Sequence, residues 1–221
     1  MKRIALDIET TGLDPEQGHK IVEIGCVELE NNYPTGNVFQ QYINPDKSMP
    51  EEALKIHGLT DDFLSDKKKF NEIKEEFLNF IKNKKLIIHN AEFDIAHLNN
   101  ELGLIGKKKL ENEIIDTLVL ARNKFPGLQN SLDSLCKRYN IDNSKRNKHG
   151  ALLDAELLAD VFLEMNGGRQ KGIELLFDRK KEKESHANTN SCLYSKKIVT
   201  PNKQELLDHK NILKKLKNTY W

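Results

Sequence analysis

The stretch Lys2-Arg3-Ile4-Ala5-Leu6-Asp7-Ile8-Glu9-Thr10-Thr11-Gly12 decides how the rest of the chain is read. Ile4, Ala5 and Leu6 form a short apolar run that reads as a buried strand over residues 2–8, and Thr10-Thr11-Gly12 breaks it. On a strand, residues two apart project from the same face, so Asp7 and Glu9 stand side by side at its end. Adjacent carboxylates repel each other in a partly buried place unless cations compensate them. Hard divalent ions such as Mg2+ and Mn2+ prefer oxygen ligands, which makes the pair a candidate ion site. Taken alone, the pair is weak evidence, and a solvated strand end is the commoner reading.

Working outward, residues 21–29 alternate through Ile21, Glu23 and Gly25 into Cys26-Val27 and read as a second strand, with residues 38–43 as a third. Asn31-Asn32 and the run from Pro34 to Gly36 supply turn chemistry between these two, predicting an antiparallel hairpin or meander. The period then changes. Residues 51–57 and 70–81 read as helices, the second with Phe70, Ile73, Phe77, Phe80 and Ile81 on one face. Leu86-Ile87-Ile88 is a short strand ending at His89-Asn90, followed by a helix over 92–102. Ile114-Ile115 is another strand leading into a helix over 117–122. Ser131 opens a helix with Leu132, Leu135 and Cys136 in core spacing, and residues 151–165 form the longest helix. Opening strands followed by helices interleaved with single strands predict an α/β fold: a mixed sheet with helices packed against it.

Gly167-Gly168 closes this domain, predicted as residues 1–168. Residues 169–195 are rich in Lys, Glu, Ser and Asn and read as a flexible linker, interrupted by the apolar cluster from Ile173 to Phe177. Residues 196–221 regain order signals: Ile198-Val199, Thr200-Pro201 as a helix start, then Leu206, Leu207, Ile212, Leu213 and Leu216. Across 221 residues the charges nearly cancel to +1, so no global basic field announces a nucleic-acid partner. Three scattered cysteines, Cys26, Cys136 and Cys192, fit neither a disulfide framework nor a zinc finger. With no room for a signal peptide ahead of Asp7 and no long apolar run, the expectation is a soluble cytoplasmic protein with no membrane partner.

Asp94 falls near the start of its helix, where a carboxylate is favoured by the positive helix end whatever its function. His149 and Asp154 are separated by Gly-Ala-Leu-Leu, the histidine just before the longest helix and the aspartate in its early turns. Each has a bland reading by itself; together the blocks differ. Asp7-Ile8-Glu9-Thr10-Thr11-Gly12, His89-Asn90-Ala91-Glu92-Phe93-Asp94 and His149-Gly150-Ala151-Leu152-Leu153-Asp154-Ala155-Glu156 resemble the three motifs of the DEDDh family of 3′→5′ exonucleases. The third block is closest to the epsilon proofreading subunits of bacterial DNA polymerase III, and His57-Gly58-Leu59-Thr60 matches a substrate-side segment of the family. Ile8 departs from the threonine that relatives often carry there, and its side chain should face away from the metals.

The resemblance covers residues 1–168 and implies a ribonuclease H-like mixed sheet with helices on both faces. It implies two divalent ions, Mg2+ or Mn2+: Asp7 bridging both, Glu9 and Asp154 on the first, Asp94 supporting the second. His149 would be the general base, and Thr11, Gly12, Leu13, His57 and Phe93 would hold the terminal nucleotide of a single-stranded DNA 3′ end. Residues 145–148 are candidates for gripping phosphates. The tail would bind the polymerase III alpha subunit, and residues 170–177 the sliding clamp, although their spacing departs from the usual clamp motif. The alternatives are a free-standing member of the family acting on RNA or short oligonucleotides, a catalytically silent binding module, and a small-molecule phosphodiesterase.

Overall fold

The computed structural model describes residues 2–144, 146, 148–168 and 201–215. Five strands among them, β1 (Lys2–Thr10), β2 (Ile21–Glu30), β3 (Tyr33–Tyr42), β4 (Lys85–Ile88) and β5 (Ile114–Asp116), form one sheet in the order β3-β2-β1-β4-β5. β1, β2 and β3 pair antiparallel, whereas β4 joins β1 in parallel and β5 joins β4 in parallel. This is the mixed sheet the sequence predicts.

Alternation along β1 divides the core in two. Ile4, Leu6 and Ile8 face α3 (Phe70–Ile81) and α4 (Ala91–Leu104), packing with Phe77, Ile81 and Leu98. Ala5 faces the other way, with Ile87, towards α5 (Thr117–Lys124), α6 (Leu132–Tyr139) and α7 (Ala151–Met165). Two shorter helices, α1 (Glu51–His57) and α2 (Asp61–Ser65), connect β3 to α3. The central strands are therefore buried on both faces.

Two local expectations are corrected. The turn between β2 and β3 is only Asn31-Asn32, both at positive φ (52° and 71°), the conformation of a two-residue hairpin whose twist matches its strands. Pro34 and Gly36, read as turn residues, lie within β3; Pro34 opposes Leu29 next to a register irregularity, and an edge strand tolerates a proline with no N–H to donate. In addition, α2 and a 3-10 turn at Pro15–Gln17 were not foreseen, being too short to show a period.

Residues 201–215 belong to a second compact unit, described by itself. Its helix α8 (Lys203–Lys215) starts later than the Thr-Pro signal suggested, because Asn202 caps it: Asn202 Oδ1 accepts from Glu205 N at 2.9 Å, and Glu205 Oε2 accepts from Asn202 N at 2.8 Å. The expected linker at 169–195 with its cluster at 170–177, together with Ile198, Val199, Thr200, Leu216, Tyr220, Trp221, Lys145 and Asn147, lies outside the described residues. No helix among the described residues is long and apolar enough to cross a membrane.

Candidate active site

Asp7 and Glu9 continue the face of β1 that Ala5 begins, so both look towards α7, while Ile8 is buried in the opposite core as expected. Asp94 is delivered by the β4–α4 junction. There Asn90 takes the left-handed conformation (φ 69°), and the Asp116 carboxylate accepts from the N–H groups of Asn90 (3.2 Å) and Ala91 (3.1 Å). Asp116 also caps α5 through Leu118 N at 2.8 Å, locking two helix starts with one side chain.

The start of α7 rests directly on β2. A Cβ added to Gly25 would lie 2.2 Å from the backbone of Ala151 and Leu152, so only glycine admits this approach. Alternation placed Glu23 among the polar members of β2. It is instead buried beneath α7, where Oε2 accepts from Ala151 N at 3.0 Å and Oε1 from Gln40 at 2.8 Å. Gly150, the residue before the helix, offers no side-chain cap, and Glu23 takes over that role from a neighbouring strand. This anchoring sets the position of Asp154 in the first turn of α7.

Asp7, Glu9, Asp94, His149 and Asp154 all line one cleft of about 490 Å³. Potential ligand atoms of Glu9, His149 and Asp154 lie within 4.8 Å of one another. Burial, then the charges of Asp94, Asp154 and Glu9, push the Asp7 carboxyl well above its ordinary range. Burial likewise lifts Asp94, and it pushes Glu9 up to about 8. Burial works in the same sense on Asp154, but hydrogen bonds from His149 and Arg146 outweigh it and hold that carboxyl low. The bond to Asp154 raises His149 above its usual value. Crowded oxygen ligands whose ionisation is penalised for want of positive charge, with an imidazole at the rim, fit a divalent cation site.

Arg146, read only as part of a phosphate-gripping run, is turned inward. Its Nε donates to Asp154 Oδ1 at 2.5 Å, its Nη2 to Oδ2 at 2.7 Å, and its Nη1 pairs with Asp133 at 2.8 Å. Nothing in the local sequence distinguishes it from Lys145 and Lys148; only its pairing with Asp133 of α6 and Asp154 of α7 does. Lys148 of the same run lies over Gly58, where an added Cβ would meet its Nζ at 2.5 Å.

An adjoining recess of about 480 Å³ is lined by Thr11, Gly12, Leu13, His57 and Phe93, and Glu9 and Phe93 border both spaces. Leu13 is 83 % exposed at its mouth. The Thr11 hydroxyl is engaged in its own loop, accepting from Lys20 N at 2.9 Å. His57 is buried and its Nδ1 accepts from Leu59 N at 3.0 Å; burial holds its pKa below the ordinary value. His97, absent from the sequence reading, supports this rim: Nε2 donates to the Leu13 carbonyl at 3.2 Å, and its ring packs on Phe93 at 4.7 Å. The spacing of four between Phe93 and His97 on one helix was the signal that could have found it.

Comparison with known proteins gives a consistent result. The family model described as "Exonuclease" (RNase_T) matches residues 4–162. The chain is 46 % identical over 226 residues to the DNA polymerase III subunit epsilon of Rickettsia felis, covering 99 % of this chain and 98 % of that protein. It is 49 % identical over 176 residues to the subunit of the same name from Salmonella typhimurium, covering 76 % and 72 %. Among solved structures it resembles the nuclease domain of 3′hExo, a DEDDh family member bound to rAMP (TM-score 0.64, 20 % identity, 75 % of this chain and 91 % of that one). Exonuclease X in complex with 5′ overhanging duplex DNA gives a TM-score of 0.57 at 24 % identity over 74 % and 89 %. At such identities these two likenesses speak for the fold.

Proposed function

The chain belongs to the exonuclease family whose model spans residues 4–162, and from that premise we propose how its cleft works. The protein is a 3′→5′ exonuclease of the epsilon proofreading type, an enzyme associated with DNA polymerase III and acting on DNA ends. The observation that carries the residue assignment is the convergence of four carboxylates and one imidazole on a single cleft beside an apolar-rimmed recess.

In this reading Asp7, Glu9 and Asp154 would hold one divalent ion, and Asp7 with Asp94 would hold a second, Mg2+ or Mn2+ by the preference of hard cations for oxygen. When bound, such ions stabilise charge on the phosphoryl oxygens and make water a nucleophile near neutral pH. His149, its side chain 47 % exposed, stands at the rim with Nδ1 3.3 Å from Asp154, and takes the proton from the attacking water through Nε2 once Nδ1 carries the ring proton and faces that carboxylate. The terminal nucleotide enters the recess, with Leu13 and Phe93 against its base, Gly12 close to its sugar and His57 beside it. Apolar contact and stacking accept any base, as removal of arbitrary errors requires.

Replacing His149 with Ala is expected to lower turnover by about 10²–10⁴-fold, the usual worth of general-base catalysis, while Mn2+ affinity stays largely unchanged. Near-normal turnover of the variant would refute the base assignment. The reading as a whole is tested with 3′-labelled single-stranded DNA and an RNA of the same sequence, in Mg2+. Stepwise release of nucleoside monophosphates from DNA is expected. Activity confined to RNA would point to a free-standing ribonuclease, and activity on neither to a binding module.

The tail from residue 196, which includes α8, is proposed to dock on the polymerase alpha subunit, with residues 169–195 as tether to the exonuclease domain at 1–168. A chain ending at residue 195 should lose capture by the alpha subunit and keep nuclease activity; equal capture of both lengths would sink the docking. Residues 170–177 remain the candidate for sliding-clamp contact, to be tested by clamp affinity of a Leu176→Ala, Phe177→Ala double variant. This work would take place in the cytoplasm, with the replication machinery.

A further inference from the structure

Arg146 occupies the cleft in a way that phosphate gripping does not explain. Its guanidinium lies in a two-pronged bond to Asp154 (2.5 and 2.7 Å), is held from behind by Asp133 (2.8 Å), and through Nη2 reaches Nδ1 of His149 at 2.8 Å. The side chain is only 8 % exposed. A guanidinium cannot shed its proton, so the arrangement is a fixed unit of positive charge set against the acid cluster.

Asp154 is also, with Glu9, a proposed ligand of the first ion, and ligand oxygens of the two lie within 4.8 Å of each other. A divalent ion held there would sit within a few ångströms of the guanidinium, where like charges repel strongly in a partly dry cleft. The two-pronged bond leaves each Asp154 oxygen already engaged by a charged donor. Asp133 differs from Asp154 in being half exposed, at 48 %, so the guanidinium can keep that partner while withdrawing towards solvent.

We infer that Arg146 is a resident counter-cation of the acid cluster, which a divalent ion must drive off Asp154, so that this side chain sets the ion affinity of the site. The inference rests on the metal-site reading proposed above. Because Nη2 also donates to His149, the same displacement releases the imidazole ring, coupling ion uptake to freedom of the proposed base.

The experiment is titration of Mn2+ into the full-length protein without nucleic acid, followed by calorimetry. Arg146→Gln removes the charge and keeps a donor, and should bind Mn2+ about tenfold more tightly, the scale of one charge-assisted bond. Arg146→Lys keeps the charge but loses the two-pronged fork, and should bind Mn2+ more weakly than Arg146→Gln. Equal or weaker binding by Arg146→Gln overturns the inference, since Arg146 would then be supporting Asp154 rather than competing for it. Failure of the wild-type chain to take up Mn2+ would overturn the metal-site reading itself, which separates the two. Should Arg146→Gln fail to fold, Mg2+ titration of the unaltered protein decides by nuclear magnetic resonance. The Nε–H of Arg146, bonded to Asp154, is expected to lose its protection from solvent exchange, and retained protection overturns the inference.

Discussion

Asp7→Asn is expected to abolish exonuclease activity, by about 10³-fold or more, while making the protein more resistant to heat in EDTA. The loss follows from the proposed role of Asp7 between two ions, whose stabilisation of developing charge amounts to several kcal/mol. The gain in stability has a separate cause. Burial and the nearby carboxylates of Asp94, Asp154 and Glu9 disfavour the ionised form of Asp7, so neutralising it relieves a penalty, on the order of 1 kcal/mol. A function-bearing residue that destabilises its own fold leaves this paired signature, and a merely structural aspartate would give the opposite sign for stability.

The same groups fix the sign of the pH dependence. Asp7, Asp94 and Glu9 have folded-state values raised above those of the unfolded chain, Glu9 to about 8 from 4.5. Between those limits the folded state holds more protons than the unfolded one, so stability falls as pH rises. Asp154, held low, works in the other direction and loses its contribution only in acid. In EDTA, thermal melts of wild type should therefore drop from pH 6 to pH 8. Mg2+ should restore them, and Asp7→Asn should flatten the slope. Lower melting of Asp7→Asn than of wild type at pH 8, or retained activity, would contradict the account.

Gly25→Ala is the second large effect expected, at a residue that touches no substrate. Its new methyl would lie 2.2 Å from the backbone of Ala151 and Leu152, and helix backbone cannot step aside as a flexible side chain can. Overpacking of this kind destabilises by about 1–3 kcal/mol, and α7 must shift to relieve it. A displacement of about 1 Å at Asp154 suffices for a loss of about 10²-fold in turnover. Gly103→Ala is the control. No atom lies within 4 Å of its added Cβ, and alanine suits a helix better, so stability should hold or rise with activity unchanged. Equal activity of the two variants would show that the contact between β2 and α7 does not position the site.

Much of this fold was legible because each signal is local. Ile4, Ala5 and Leu6 declare a strand, Phe70, Ile73, Phe77 and Ile81 declare one face of a helix, and residues 151–165 carry a helical period from end to end. The five candidate catalytic and metal residues stood out through their order and spacing, and the structure brings all of them to one cleft. Nothing in the sequence marked Glu23 as buried, because alternation sets polar residues on a wet face, whereas β2 is covered on both. Pro34 was misread because turn chemistry is judged without knowing which strand lies at an edge.

The sequence by itself determined the strands and helices, the DxE pair on one side of β1, and the identity of the groups that can hold ions or move protons, since periodicity and side-chain chemistry are properties of neighbouring residues. Tertiary structure alone decided that Glu23 caps a helix 128 residues away, that Gly25 must be glycine, that His97 braces Leu13, and that Arg146 turns inward onto Asp154. Each of these is a contact between segments distant along the chain. Its energy exists only once the sheet and the helices on its two faces have brought those segments together.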